Sequence, residues 1–389
     1  PIFEQREASP QPKRMDGYPA DSNKVRFNWN APIVKSPHDG KVVYFAGNIL
    51  FKTTDWGKTW TAISPDLSKN DKSRQGDAGG PILKENTVAE YYGTIFSIEE
   101  SPVKAGVIWV GTDDGNVQVT QDGGKTWTNV TGNIPGVGSD AVISAVEPSH
   151  AAAGTAYVGV ERRMMDDLKP YVFKTTDFGK TWTNITGNIP ANAYVQVVRE
   201  DPKNHNLVYV GTELGLFANW NGGTSDWTKL HLGNLPNVAV HEIRVHPREN
   251  DLMVATHGRA IWILDDATPI QQMTKEIAAK PAHLFPVRTA TRYNTGGGEW
   301  QWGSQAFRGT NAPYGAAFTY WLKDKVADSA VKVEILSGTT VIRTLKKATG
   351  GAGFNRMTWD LRHETPKVLS DMIPDSAEAG DWQIGRAHV

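Results

Sequence analysis

The chain of 389 residues contains no cysteine, so disulfide staples, thiolate-held zinc and a cysteine nucleophile are all excluded. It also lacks an excess of positive charge. With 41 Lys and Arg against 42 Asp and Glu, the net charge is −1, without the basic field that DNA or RNA binding needs. No apolar run approaches the roughly 18–20 residues of a membrane span. The length exceeds what one hydrophobic core organises, so two domains are expected.

Tryptophan is plentiful, with 14 residues, and most of them fall in repeated surroundings. Three octets, Thr53 to Trp60 (TTDWGKTW), Thr120 to Trp127 (TQDGGKTW) and Thr175 to Trp182 (TTDFGKTW), are near-identical, and a degenerate fourth ends at Trp227. The Trp-to-Trp steps are 67, 55 and 45 residues, as expected of one β-unit carrying variable insertions. Within each octet, Asp-x-Gly suits a tight hairpin turn, because the carboxylate accepts backbone N–H groups and Gly tolerates positive φ. The Trp is expected to act as a packing wedge between sheets. Asp55, Gly57 and Trp60, Asp122, Gly124 and Trp127, and Asp177, Gly179 and Trp182 are therefore read as structural. Three copies at equivalent places argue for a shared structural job over catalysis.

Aligning the copies gives five units. An apolar strand ending at a Pro turn (as in Thr94 to Pro102 and Tyr194 to Pro202) leads to a Val/Tyr/Trp-rich strand (Val107 to Thr112, Leu207 to Thr212). A third strand runs into the octet and a fourth carries its Trp, and the last unit closes on Ala260 to Asp266 without an octet. Four short antiparallel strands per unit predict propeller blades. The fold class expected is all-β: a partial β-propeller of about five blades followed by a small β-sandwich.

The octets resemble the Asp-box, or BNR, repeat of the β-propellers of sialidases, xyloglucanases and sortilin-type receptors. The run from Trp29 to Pro269 is more closely similar to bacterial sortilin-like BNR proteins often labelled glycosyl hydrolases. That match rests on Ile63 to Leu67 (ISPDL), Thr87 to Gly93 (TVAEYYG), Trp109 to Gly115 (WVGTDDG), Ala255 to Arg259 (ATHGR) and Trp262 to Asp266 (WILDD). The resemblance implies a secreted, periplasmic or cell-surface protein and a peptide, protein or glycan ligand. It covers the blades; the Asp-box by itself recurs on proteins of unrelated activity.

The domains read from the sequence are an extended lead-in over 1–28, five blades over 29–270, a linker over 271–312 and a sandwich over 313–383. The last domain rests on alternating strands at Ala316 to Leu322, Ala330 to Leu336, Thr340 to Leu345 and Phe354 to Arg362. It resembles the Ig-like modules that follow such propellers. Residues 384–389 match one reading frame of a common sequencing adapter and are expected to be artefactual. A chain that starts at Pro1, without Met or signal peptide, is expected to be a piece of a longer protein, its sandwich truncated.

In this strand order, the turns between second and third strands and the links between blades share one face, and the octet turns occupy the other. The functional face is expected to collect Asp113, Asp114, the insertion Glu161 to Lys169, Glu213, His257, Arg259, and the long link containing Glu90, Tyr91 and Tyr92. The binding candidates are Tyr91, Tyr92, Asp113, Arg162, Arg163, Glu213, His257 and Arg259. Each has a structural rival: Asp113-Asp114-Gly115 is a turn sequence first and a carboxylate pair second, and His257 and Arg259 are better suited to locking the last blade through Asp265 or Asp266 than to facing an anion. Glu99 and Glu100 end an inner strand, so one of them is placed to face the channel.

Three functions stay open. The first is a binding or scaffold propeller acting through its loop face. The second is a glycoside hydrolase with paired carboxylates, for which Asp114 with Glu90 or Asp167 is the candidate pair. The third is a purely structural module. No cofactor is implied; calcium is the one ion the acidic loops suggest, without the spaced oxygen ligands of an EF-hand.

Overall fold

A computed structural model describes residues 8–10, 17–87, 89–138, 140–224, 226–231, 233–291 and 314–364. The expectations for 384–389 and for the glycine run at Gly296 lie outside these residues. The chain forms two compact units, 1–267 and 268–389.

The first unit is a series of antiparallel sheets, each laid down in chain order from an inner to an outer strand. Sheet 1 comprises Ile33–Lys35 (β1), Val43–Ala46 (β2), Leu50–Thr53 (β3) and Thr61–Ala62 (β4). Sheet 2 comprises Ile95–Glu100 (β5), Ile108–Thr112 (β6), Val117–Thr120 (β7) and Thr128–Asn129 (β8). Sheet 3 comprises Val142–Pro148 (β9), Ala156–Arg162 (β10), Asp167–Thr175 (β11) and Thr183–Asn184 (β12). Sheet 4 comprises Val195–Glu200 (β13), Val208–Thr212 (β14), Gly215–Asn219 (β15) and Thr228–Lys229 (β16). The fifth sheet has three described strands, Val240–Val245 (β17), Leu252–Thr256 (β18) and Ile261–Leu264 (β19). Inner strands of sheets 2 to 5 pack side by side in order, the blade arrangement of a β-propeller.

Blade contact is made of apolar faces and closed by glycine. Val107, Trp109, Val119, Ile143, Val158, Phe173 and Trp182 form one buried cluster shared by blades 2 and 3. In the second strands, Gly111 and Gly211 occur where the next inner strand comes closest. A Cβ on Gly111 would lie 2.7 Å from Ile143 Cβ, and one on Gly211 would lie 2.6 Å from the Val240 carbonyl oxygen. Only glycine admits that approach.

Each octet turn is fixed by one threonine and one aspartate. Thr53, Thr120 and Thr175 accept the amides of Gly57, Gly124 and Gly179 while donating to Asp55, Asp122 and Asp177 at 2.8 Å. The second position of each Asp-x-Gly also has positive φ, +62° at Trp56, +75° at Gly123 and +60° at Phe178. The amides and hydroxyls of Thr59, Thr126 and Thr181 are the largest causes holding the three carboxylates down at about 2. A carboxylate depressed on folding contributes stability above the unfolded value and loses it as pH falls toward the folded one. Thermal midpoints should therefore fall between about pH 4 and pH 2, and Asp122→Asn should flatten that acid limb; an unchanged slope in the variant refutes the role.

The octet tryptophans reach backward. Trp127 Nε1 donates to the Ile63 carbonyl of blade 1 at 3.1 Å, and Trp227 Nε1 to the Ile185 carbonyl of blade 3 at 2.9 Å. Trp60 meets the lead-in instead, donating to the Ala8 carbonyl at 2.8 Å. Trp182 bonds within its own turn, to the Gly179 carbonyl, and packs edge-on against Trp109 at 6.0 Å.

The second unit contains a sheet of Ala282–Leu284 (β20), Ala316–Leu322 (β21) and Gly353–Trp359 (β24), with a hairpin of Val333–Ser337 (β22) and Thr340–Leu345 (β23). Its described start departs from the linker expected over 271–312. Two short helices, Thr268–Gln272 (α1) and Lys275–Ala279 (α2), precede β20, which pairs with β21. Thr274 caps α2 by accepting the Ile277 amide, a local signal that the glycine-rich stretch downstream masks in the sequence.

Candidate functional site

The link face of the first unit carries a cavity of about 710 Å³ lined by ten residues from four blades. Arg163 comes from the turn between β10 and β11, Glu213 from that between β14 and β15, and His257 and Arg259 from that between β18 and β19. Tyr194 and the Asn237–Ala239 segment enter from the blade links, His241 from β17, and Asn30 from the lead-in to β1. Four of the sequence-derived binding candidates thus meet in one place.

These groups form a bonded rim. Arg163 pairs with the buried Glu161 and lies over the Tyr194 ring, 5.9 Å from its centroid. The Tyr194 hydroxyl donates to Glu213 Oε2 at 2.7 Å. Burial pushes Glu161 above the usual carboxylate range against the pull of Arg163, and Glu213 adds to the rise. His241 and His257 face each other with centroids 5.0 Å apart. Burial first, and then His257, hold His241 below the usual imidazole value. Arg259 donates to the Gly258 carbonyl and makes no ion pair among the described residues, so the lock through Asp265 or Asp266 is not formed by it.

The remaining candidates are placed elsewhere. Asp113 is buried and accepts from the Gly93 amide, the Thr94 amide and the Thr94 hydroxyl, and burial still pushes it up to about 7. Asp114 accepts from the Lys69 amide at 2.7 Å and the Thr112 hydroxyl at 2.5 Å. Both anchor the link 64–93 to blade 2 and turn away from solvent, as the turn reading of that sequence implies. Tyr91 is buried, donates to the Tyr18 carbonyl and accepts from Asn23. Tyr92 is half-buried near Arg74 and Asp114. Glu90 is exposed and accepts from Trp29 Nε1 at 3.1 Å.

Arg162 and Asp167 pair with each other at 3.0 Å across the base of the blade 3 hairpin. Burial alone would raise Asp167; the Tyr171 hydroxyl, the Lys169 amide and Arg162 hold it below the usual range. The candidate catalytic carboxylates Asp114, Glu90 and Asp167 are therefore each bonded to separate partners, and no described contact joins any two of them. Loop position alone could not foresee this, because a turn carboxylate with nearby amides is satisfied locally.

A second polar group lies on the inner strands. Arg199 in β13 donates to both oxygens of Glu242 in β17 at 2.9 and 2.8 Å, to Glu147 in β9 at 3.3 Å, and lies 3.9 Å from Glu99 in β5. Arg244 in β17 donates to Glu99 at 2.5 Å, joining blade 5 to blade 2. Of the two glutamates at the end of β5, Glu99 is the one that joins this network. Arg199, Glu147, Glu242 and Arg244 carried no motif; Arg199 and Arg244 share with Glu99 a position three before a proline, and Glu147 and Glu242 have no such signal.

A further cavity of about 730 Å³ lies beside blade 1, between the lead-in and the start of the link. Its arginine, Arg26, is already committed to Asp66 and the Gly93 carbonyl. Among the described residues, no group of three or more His, Asp or Glu side chains is arranged to hold a metal ion. Likewise, no described helix is long and apolar enough to cross a membrane.

No protein-family model matches the chain. Over 110 residues it is 27% identical to an oligoxyloglucan-reducing end-specific xyloglucanase of Emericella nidulans, covering 28% of this chain and 13% of that protein. A probable enzyme of the same name from Neosartorya fischeri is 37% identical over 92 residues, covering 22% of this chain and 10% of that protein. The matched stretches thus span about a tenth of these relatives' length. Among solved structures, an ancestral GH74 enzyme has a TM-score of 0.44 at 20% identity, over 60% of this chain and 28% of that one. The GH74 xyloglucanase from Xanthomonas campestris has a TM-score of 0.44 at 13% identity, over 65% and 37%.

Proposed function

We propose that this chain is the glycan-recognising part of a propeller protein that works outside the cytoplasm, binding its ligand in the link-face cavity. The observation that carries this reading is the convergence of Arg163, Tyr194, Glu213, His241, His257 and Arg259 on that cavity. Of its ten lining residues, only Val238 and Ala239 are aliphatic, and such a wall suits hydroxyl-rich sugars better than apolar peptide side chains. The Tyr194 ring and two imidazoles offer flat faces, while Asn30, Asn237 and the arginines offer hydrogen-bonding groups. A purely structural role leaves that rim without purpose, and the sortilin-like resemblance leaves a peptide ligand as the competing partner.

Hydrolysis is the second reading. Glu161, beside the lining residue Arg163, is held above the usual carboxylate range by burial, with the Glu213 charge adding to the rise, which is the character a general acid requires. The curated relatives are named as xyloglucanases, which makes xyloglucan oligosaccharides the first substrate to try.

The test is a titration of neutral and acidic oligosaccharides against the protein and its variants. Arg163→Gln and Glu213→Gln should each weaken binding by about tenfold or more, the effect of losing a charge-assisted hydrogen bond. Asp114→Asn should lower the melting temperature and leave affinity unchanged. Affinity that survives both cleft substitutions sinks the site. Release of reducing ends that Glu161→Gln abolishes, at unchanged melting temperature, would establish the hydrolytic reading.

A further inference from the structure

We infer that the ligand of this cleft is an acidic glycan, and that the paired imidazoles of His241 and His257 make its capture stronger as pH falls. The inference rests on glycan recognition by the cleft and adds the ligand's charge and the control of binding.

The charge balance of the rim motivates it. Arg163 is matched by Glu161, and Arg259 is offset by Glu213 on the facing turn. With both imidazoles neutral, the rim is formally uncharged. Proton uptake by the imidazole pair leaves it positive, and imidazole is the side-chain type whose charge changes between about pH 5 and 8 when unperturbed. The two rings stand 5.0 Å apart and both line the cavity, so an acid group entering there meets both. Arg259, whose guanidinium has the Gly258 carbonyl as its one partner among the described residues, has donors left for a carboxylate.

The groups facing this pair can be named. His241 is buried in part, sees His257 and Arg163 as repulsive neighbours and Glu213 as an attractive one; it therefore resists protonation in the empty cleft. A bound carboxylate reverses that balance. An opposite charge within about 4–6 Å raises an imidazole pKa by about 1–3 units. Ligand binding then takes up protons, and by linkage affinity must increase as pH falls through the histidine range. A neutral sugar of the same shape has no such leverage and gains nothing from acid.

An oligogalacturonide and its methyl ester, identical in shape and differing in charge, are the probes. Calorimetric titration at about pH 5 and about pH 8 should show the acid form binding about tenfold or more tighter at the lower pH, with the ester indifferent. His241→Gln and His257→Gln should each bring the ratio of the two affinities close to one, whatever they do to binding at the higher pH, and a ratio that survives both substitutions would overturn the inference. Arg259→Gln should weaken the acid form at both. Melting temperatures of the variants, recorded at both pH values, separate lost binding from lost folding. Equal binding of acid and ester at both pH values would overturn the inference and leave glycan recognition standing. Silence from both, and from neutral xyloglucan oligosaccharides, would overturn glycan recognition and the inference with it.

Discussion

Arg199→Met should destabilise the first unit by about 3–5 kcal/mol, read as a fall in the urea midpoint at constant slope. The size follows from what is left behind. Arg199 is the shared partner of Glu147, Glu242 and Glu99, and its removal leaves Glu99 and Glu242 to Arg244 and Glu147 to His150. Breaking a buried ion pair costs far more than deleting it whole, because the desolvated partner keeps its charge. Adding Glu242→Gln to Arg199→Met should consequently restore part of the loss. If the double variant is less stable than the single one, the charge argument fails and packing of the arginine stem is the cause.

The second large effect belongs to Trp182. Trp182→Ala should cost about 3–5 kcal/mol, the range for emptying a buried aromatic site, whereas Trp60→Ala should cost about 1–2 kcal/mol. The two residues hold the same place in their octets, but their surroundings differ. Trp182 is 8% exposed and packs into the cluster shared by blades 2 and 3, against Trp109. Trp60 is half-buried against Phe45 and the lead-in, with no blade before it among the described residues. Equal losses at both positions would show that the octet tryptophan serves its own turn and contributes nothing to blade contact.

The fold was largely legible because its signal is repetitive and local. Thr-x-Asp-x-Gly fixes a turn through its own side chains, and the strands flanking it alternate around fixed glycines and prolines, so four-stranded sheets follow from aligning the copies. What escaped was the start of the second unit, where a threonine cap and two short helices carry little periodicity.

The candidate site was legible in part, for a different reason. Arg163, Glu213, His257 and Arg259 lie on equivalent turns of successive blades, so blade topology alone gathers them. Tyr194 and His241 belong to segments whose exposure depends on how the inner strand bulges, as at the register shift between Val240 and Glu242. No single-sequence pattern announces that shift. Asp113 and Asp114 show the converse: the richest acidic motif in the chain is consumed by backbone amides of the link it holds.

The bond between Glu99 and Arg244 has a consequence for how the blades loosen. Side chains from blades 2 and 5 meet directly although two blades separate them along the chain, and Arg199 of blade 4 lies 3.9 Å from the same glutamate. Fraying at the fifth sheet is therefore transmitted to the second without passing through each neighbour in turn, and the series should come apart as a unit rather than peel blade by blade.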